Sequence, residues 1–107
     1  MSEIFVYVNV TDKVEAEKIA ERLLDAGLVS CANIMSPHHA IYQWNGENRS
    51  EPETSMILKS VEKNYKKIEE LVIQLHSYEC PPICYWKLDG GYAPFLSWIR
   101  ESSGSTT

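Results

Sequence analysis

The fold class this sequence predicts is an α+β sandwich: one four-stranded antiparallel sheet with two long helices. Three observations carry it. Apolar residues alternate strictly near the start of the 107-residue chain. Two later stretches carry apolar residues at helical spacing. An Asn45-Gly46 pair, the strongest short hairpin signal, stands between two strand-like runs.

The elements follow in order. Ile4, Val6, Val8 and Val10 alternate with Phe5, Tyr7 and Asn9. Both sets are largely apolar, which suits a central strand covered on at least one face. Thr11 and Asp12 offer helix N-caps, and Asp12 with Glu15 has the spacing of a capping box. Val14, Ala16, Ile19, Ala20, Leu23 and Leu24 recur at helical spacing, and Gly27 stands where a left-handed C-cap belongs. Leu28 to Met35 is a second strand, interrupted at Ser36-Pro37 and resumed from Ala40 to Trp44. Beyond Asn45-Gly46, the polar segment Glu47 to Glu53 holds Pro52, which points to an edge or a bulge. Thr54 to Val61 restores strand character. Ser60 or Asn64 caps a second helix whose stripe is Ile68, Leu71, Val72 and Leu75. Pro81-Pro82 excludes its continuation, and Ile83 to Leu88 reads as a fourth strand. Gly90-Gly91 breaks that strand, and Pro94 fits the first turn of a short third helix carrying Phe95, Trp98 and Ile99. The order β-α-β-β-α-β plus a terminal helix is that of a ferredoxin-like split β-α-β sandwich. Right-handed crossovers would place both long helices on one face. Residues 1–101 form a single domain, and 102–107 a polar tail with no reason to pack.

Composition bounds the function. Ten basic residues stand against fifteen acidic ones, a net charge of −5. Such a surface repels phosphate backbones unless its cations cluster, and they do so only weakly, at Lys63, Lys66 and Lys67. Neither nucleic acid nor an anionic membrane is an expected partner. No apolar run approaches the ~20 residues that span a bilayer. Met1-Ser2-Glu3 has no basic stretch of the kind that opens a signal peptide, so a cytoplasmic location is expected. The three cysteines, Cys31, Cys80 and Cys84, cannot all pair within one chain, which fits reduced thiols.

Two helices on one face leave the other face of the sheet open, yet the strands are apolar on both sides. Phe5, Tyr7, Tyr42, Trp44, Tyr85 and Trp86 cannot all point at the helices. The hairpin from Leu28 to Val61 is longer than a small sandwich needs, so its distal strands would project with unpaired edges. Pairing with further copies of the chain is the economical remedy, which predicts a closed homo-oligomer.

Five segments then carry a resemblance. They are Cys31-Ala32-Asn33-Ile34, Tyr42-Gln43-Trp44-Asn45-Gly46-Glu47, Ile57-Leu58-Lys59-Ser60, His76-Ser77-Tyr78-Glu79-Cys80-Pro81 and Phe95-Leu96-Ser97-Trp98-Ile99. In this order over one small domain, from Ile4 to Glu101, the sequence resembles the CutA family, the divalent-cation tolerance proteins. The resemblance implies a ferredoxin-like homotrimer built by strand pairing between subunits, and copper binding in some members. The sequence departs from those copper-binding members at Asn9, where they carry a cysteine, and at Leu75, where they carry a second histidine. Ser77 replaces a common proline and Phe95 a common tyrosine. Of the best-known proposed copper ligands only His76 remains.

Candidate residues fall into two groups. His76 and Cys80, with Glu79 between them and Cys84 beyond, offer imidazole, thiolate and carboxylate donors suited to copper or zinc. The His-x3-Cys-x3-Cys spacing, however, matches no standard zinc frame. His38 and His39 point opposite ways in a strand, so they would bind an ion only where symmetric copies converge. The resemblance further implies a ligand cleft between subunits, for which Cys31, Asn33, Trp44, Lys59, Tyr78, Glu79 and Trp98 are the candidates. Lys59 and Glu79 would either clamp a ligand or form an interfacial ion pair. No nucleophile triad, phosphate-cradling glycine loop or dinucleotide fingerprint is present.

The leading expectation is a non-enzymatic homotrimer tied to divalent-cation tolerance, requiring no cofactor and taking Cu²⁺ or another divalent cation as ligand. The alternatives are a trimeric signalling or scaffold module with protein partners, and an enzyme using the inter-subunit cleft with Lys59, His76 and Glu79 as acid–base groups.

Overall fold

A computed structural model describes residues 2–104. Its elements are β1 (Glu3–Val10), α1 (Lys13–Asp25), β2 (Cys31–Ile34), β3 (His38–Trp44), β4 (Glu47–Val61), α2 (Tyr65–Leu75), β5 (Ile83–Lys87) and α3 (Ala93–Ser102), with a 3₁₀ turn, Glu62–Asn64, leading into α2. Every strand pairing is antiparallel, and the sheet order is β2-β4-β1-β5, with β3 also pairing β4.

The sheet therefore has five strands where the sequence predicts four. The expected second strand divides at residues 35–37. Met35 still donates to Ser55 O at 2.9 Å, and the ladder resumes at His38 opposite Glu53. Both pieces pair with the same long β4, which runs through Pro52 rather than starting after it. Proline is tolerated there because the only neighbour of β4 at that level is β3; the opposite edge is free among the described residues. Asn45 (φ 51°) and Gly46 (φ 80°) both take left-handed backbone, as a primed hairpin turn requires.

Alternation along β1 sorts the sheet into two faces. Ile4, Val6, Val8 and Val10 are fully buried and meet Ile19 and Leu23 of α1, Ile68 and Val72 of α2, and Met56 and Leu58 of β4. Burying each such side chain contributes about 1.5–3 kcal/mol, so this layer is the main source of stability. Val14 and Leu24, which share the expected stripe of α1, lie on its solvent side instead. Tyr85 also belongs to the helix face, where its ring packs 4.3 Å from that of Tyr65.

Phe5, Tyr7 and Asn9 point to the opposite face. At one end α3 covers it: Ile99 is fully buried, and Arg100 bonds Glu3 at 2.9 Å. At the other end α3 does not reach. The expected loose tail is corrected in part. Ser102 ends α3, Ser103 is buried with its carbonyl accepting from Asn64 at 2.8 Å, and Gly104 lies against the carbonyl of Gly27. A Cβ at Gly104 would sit 2.9 Å from that oxygen, and φ is 65°, so only glycine fits. The remainder of the expected tail, 105–107, lies outside the described residues.

Candidate functional site

The junction after α2 sets the floor of the site. The chain leaves α2 at His76 in extended backbone and runs beside the end of β1, and Pro81-Pro82 keeps it from re-entering helix before β5. Asn9 N donates to Pro82 O at 3.2 Å, which holds the segment against the sheet. His76 is buried there. Its Nδ1 accepts from Tyr78 N at 3.0 Å, so Nε2 carries the proton and donates to Asn9 O at 2.6 Å.

The hairpin arm of β3 and β4 forms the facing wall. Counting outward from Asn45-Gly46 by twos pairs Trp44 with Glu47, Tyr42 with Arg49, Ala40 with Glu51 and His38 with Glu53. Cross-strand partners share a face, so these residues stand on one side of the arm. Between arm and junction lies an open cleft of about 890 Å³, whose aromatic walls are Tyr42, Trp44 and Tyr78. Glu51, Glu53, Glu79 and Arg49 line it with charge, and Cys80, Pro82 and Asn9 complete the floor.

Each tyrosine hydroxyl is tied to a carboxylate. Tyr78 donates to Glu53 Oε2 at 3.2 Å and Tyr42 to Glu51 Oε1 at 3.0 Å. Burial, then the charge and hydrogen bond of Glu53, push the Tyr78 phenol up to about 12. The hydrogen bond to Glu51 raises that of Tyr42. Both phenols are therefore neutral donors throughout the physiological range.

A second polar cluster lies beside the cleft on the open sheet face. Ser55 Oγ donates to Asn9 Oδ1 at 2.7 Å and lies 3.0 Å from Tyr7 Oη and 3.4 Å from His38 Nε2. His39 is exposed on the other side of β3, so the two histidines do point apart.

The expected site residues are brought together only in part. Trp44, Tyr78, Glu79 and Cys80 converge on the cleft. Lys59, Cys31, Asn33 and Trp98 do not. Lys59 stands opposite Phe5, and its Nζ lies 5.8 Å from the Phe5 ring centre and 5.5 Å from that of Phe95. Glu79 follows the junction beside Asn9, four residues along β1 and so about 13 Å away. Within one chain the expected Lys59–Glu79 pair is therefore not made. Cys31 and Asn33 sit in β2 on the open face, and Trp98 on the outer side of α3 is 44% exposed.

The metal-donor grouping also comes apart within the chain. Both His76 nitrogens are taken by backbone groups, Cys80 and Cys84 are exposed, and His38 contacts Ser55. Among the described residues no group of three or more His, Cys, Asp or Glu side chains is placed to hold a metal ion.

Sequence reasoning missed Tyr42, Arg49, Glu51 and Glu53 as members of the site. The signal was available: a two-residue turn at Asn45-Gly46 fixes the register, and the register puts these side chains with Trp44.

Comparison with known proteins places this architecture. The pattern of the CutA1 divalent ion tolerance protein family matches residues 4–102. The divalent-cation tolerance protein CutA of Archaeoglobus fulgidus is 35% identical over 98 residues, covering 92% of this chain and 95% of its own. Its solved structure, described as periplasmic, superposes with a TM-score of 0.90 at 34% identity, covering 94% of this chain and 98% of that one. CutA1 from the psychrotrophic Shewanella sp. SIB1 gives 0.92 at 33% identity, covering 96% of both chains. Family pattern, sequence identity and superposition agree over nearly the whole length, and the chain belongs to the CutA1 divalent ion tolerance family.

Proposed function

We propose that the chain acts in divalent-cation tolerance as a non-enzymatic homotrimer of ferredoxin-like subunits, with ion contacts completed between copies. The observation that supports this reading is the arm. Residues 38–53 project with two strand edges that are free among the described residues, and the arm exposes Ile41 (77%) and Trp44 (58%). Extended backbone with unpaired edges and bare apolar side chains is a template for pairing with another chain. The uncovered end of the sheet face and the exposed Trp86 offer a matching surface. Because no metal-donor trio forms among the described residues, donors such as His38 and Cys80 would act together with those of neighbouring copies. The free, exposed thiols of Cys80 and Cys84 support a reducing, cytoplasmic setting.

Light scattering of the metal-free protein at micromolar concentration is expected to give three times the 12.2 kDa chain mass. Calorimetric titration with Cu²⁺ and Zn²⁺ is expected to show saturable heat that Cys80→Ser or His38→Ala diminishes. A stable monomer would refute the assembly. Absence of heat with both ions would refute the ion contacts.

A further inference from the structure

We propose that residues 76–82 form a brace that sets the direction of the hairpin arm, with Tyr78 as its positioning residue, and that the arm must be held in that direction to pair with a second copy of the chain. The geometry lies within one chain; its consequence rests on the assembly proposed above.

The arm has a pivot. β1 pairs β4 as far as Val10 opposite Thr54, and past that level β3 is the one neighbour of β4 among the described residues. His38 and Glu53, the first cross-strand pair of the arm, stand at this root, and Asn45-Gly46 at the tip. From Glu53 to Gly46 the strand runs roughly 23 Å. Among the described residues, the side-chain bonds that tie the arm to the rest of the chain are both at the root. Tyr78 Oη donates to Glu53 Oε2 at 3.2 Å, and Ser55 Oγ lies 3.4 Å from His38 Nε2. The second is long for a bond to nitrogen, so the phenol is the main tie. It acts about one strand spacing, ~5 Å, from the pivot. Slack of about 1 Å there swings the tip by about 5 Å, the whole distance between paired strands.

Residues 76–82 can hold Tyr78 because both ends are pinned to the body. At the α2 end, His76 Nε2 donates to Asn9 O at 2.6 Å and Ser77 N to Glu15 Oε2 at 2.9 Å. At the β5 end, Asn9 N donates to Pro82 O at 3.2 Å. Between these points Tyr78 N donates to His76 Nδ1 at 3.0 Å, and the two rings lie 4.7 Å apart. Pro81 and Pro82 fix φ and stiffen the rest. On the arm side Glu53 is buried, and no ion pair reaches it among the described residues. Giving up the phenol would leave a buried carboxylate without its donor, so the bond is kept. An arm free to swing would lose that freedom on pairing with another copy, and holding it beforehand removes the cost.

The test is subunit exchange of the full chain. Unlabelled and isotope-labelled protein are mixed, and native mass spectrometry follows the mixed assemblies. Tyr78→Phe, which keeps the ring and removes the hydroxyl, is expected to exchange about tenfold faster than the wild type. Glu15→Ala lies away from the arm and loosens only the pinned end, so it should exchange about twofold faster. Once the hydroxyl is gone the pin no longer reaches the arm, so the double variant should match Tyr78→Phe. Glu53→Leu, which removes the acceptor, should likewise gain nothing from added Tyr78→Phe. Circular dichroism checks folding; if Glu53→Leu does not fold, the Glu15 and Tyr78 pair decides alone. Wild-type exchange in Tyr78→Phe, or additive rates in a folded double variant, would overturn the brace. A wild-type chain that gives only its own single-chain mass would refute the assembly instead. The brace is then judged by nitrogen relaxation: order parameters across residues 38–53 are expected to fall from about 0.85 in the wild type to below about 0.6 in Tyr78→Phe, and equal values would overturn it.

Discussion

Glu15 shows how one side chain positions the site. Its Oε1 accepts from Thr11 N at 2.9 Å and Thr11 Oγ1 at 3.0 Å, and its Oε2 accepts from Ser77 N at 2.9 Å. The capping box expected at Asp12 and Glu15 thus forms with a shift. Asp12 accepts from Glu15 N, but Glu15 returns to Thr11 and also clasps the segment leaving α2. Burial alone would raise its carboxyl, but the hydrogen bonds from Thr11 and Ser77 outweigh it and hold the group below its ordinary 4.5. A carboxyl depressed by folding stabilises the ionised folded state. Its contribution is complete above 4.5 and is lost as pH falls through the lower folded-state value. Glu15→Gln should therefore cost about 0.5–1 kcal/mol at neutral pH, a modest figure because the group retains solvent contact. Urea midpoints of the two proteins are expected to converge in acid. A difference that persists unchanged below the folded-state value would show that charge has no part in the clasp.

At the scale of elements, Asn64 determines how α3 docks. The sequence reads it as a cap of α2, but its backbone is helical and its side chain makes no cap bond. It is buried instead, and its Nδ2 lies 3.1 Å from Leu28 O and 2.8 Å from Ser103 O. It thereby joins the α1–β2 link, the start of α2 and the end of α3. Leu28 O retains Ser60 Oγ at 2.6 Å, whereas Ser103 O loses its side-chain partner when Asn64 is removed. Asn64→Ala should cost about 1–3 kcal/mol. Hydrogen exchange is expected to quicken in α3 before the core strands; uniform change across the sheet would contradict the local account. Short-range chemistry explains why much of the fold was legible: alternation in β1, Gly27 after α1, and Asn45-Gly46 all act within a few residues. The role of Asn64 is set by partners 36 and 39 residues away, which no local pattern encodes. The split of the second strand was equally hidden, because β4 supplies one continuous edge for both pieces. Half of the cleft was readable for the same reason. Tyr78, Glu79 and Cys80 are neighbours in sequence, while the arm residues reach them only through register and projection.

The whole molecule is elongated, 47 × 26 × 22 Å, with a radius of gyration of 14.6 Å. A compact chain of this length has a radius of about 13 Å. The arm accounts for the shape, since β3 pairs β4 beyond the reach of β1 and β2. The helix-face core contains no residue of β3, so folding of the body does not depend on the distal arm. This separates stability from assembly in a single variant. Ala40 and Glu51 are direct partners, so deleting 41–44 and 47–50 leaves Asn45-Gly46 as a two-residue turn between them, in register. The shortened chain is expected to keep the far-ultraviolet spectrum and a cooperative thermal transition, because the buried layer is intact. In sedimentation it should run as a single chain, because the edges that would pair with other copies are gone. Unchanged sedimentation would move the assembling surface to the sheet face beside Trp86 and away from the arm. Loss of the thermal transition would mean that the arm is part of the folding unit after all.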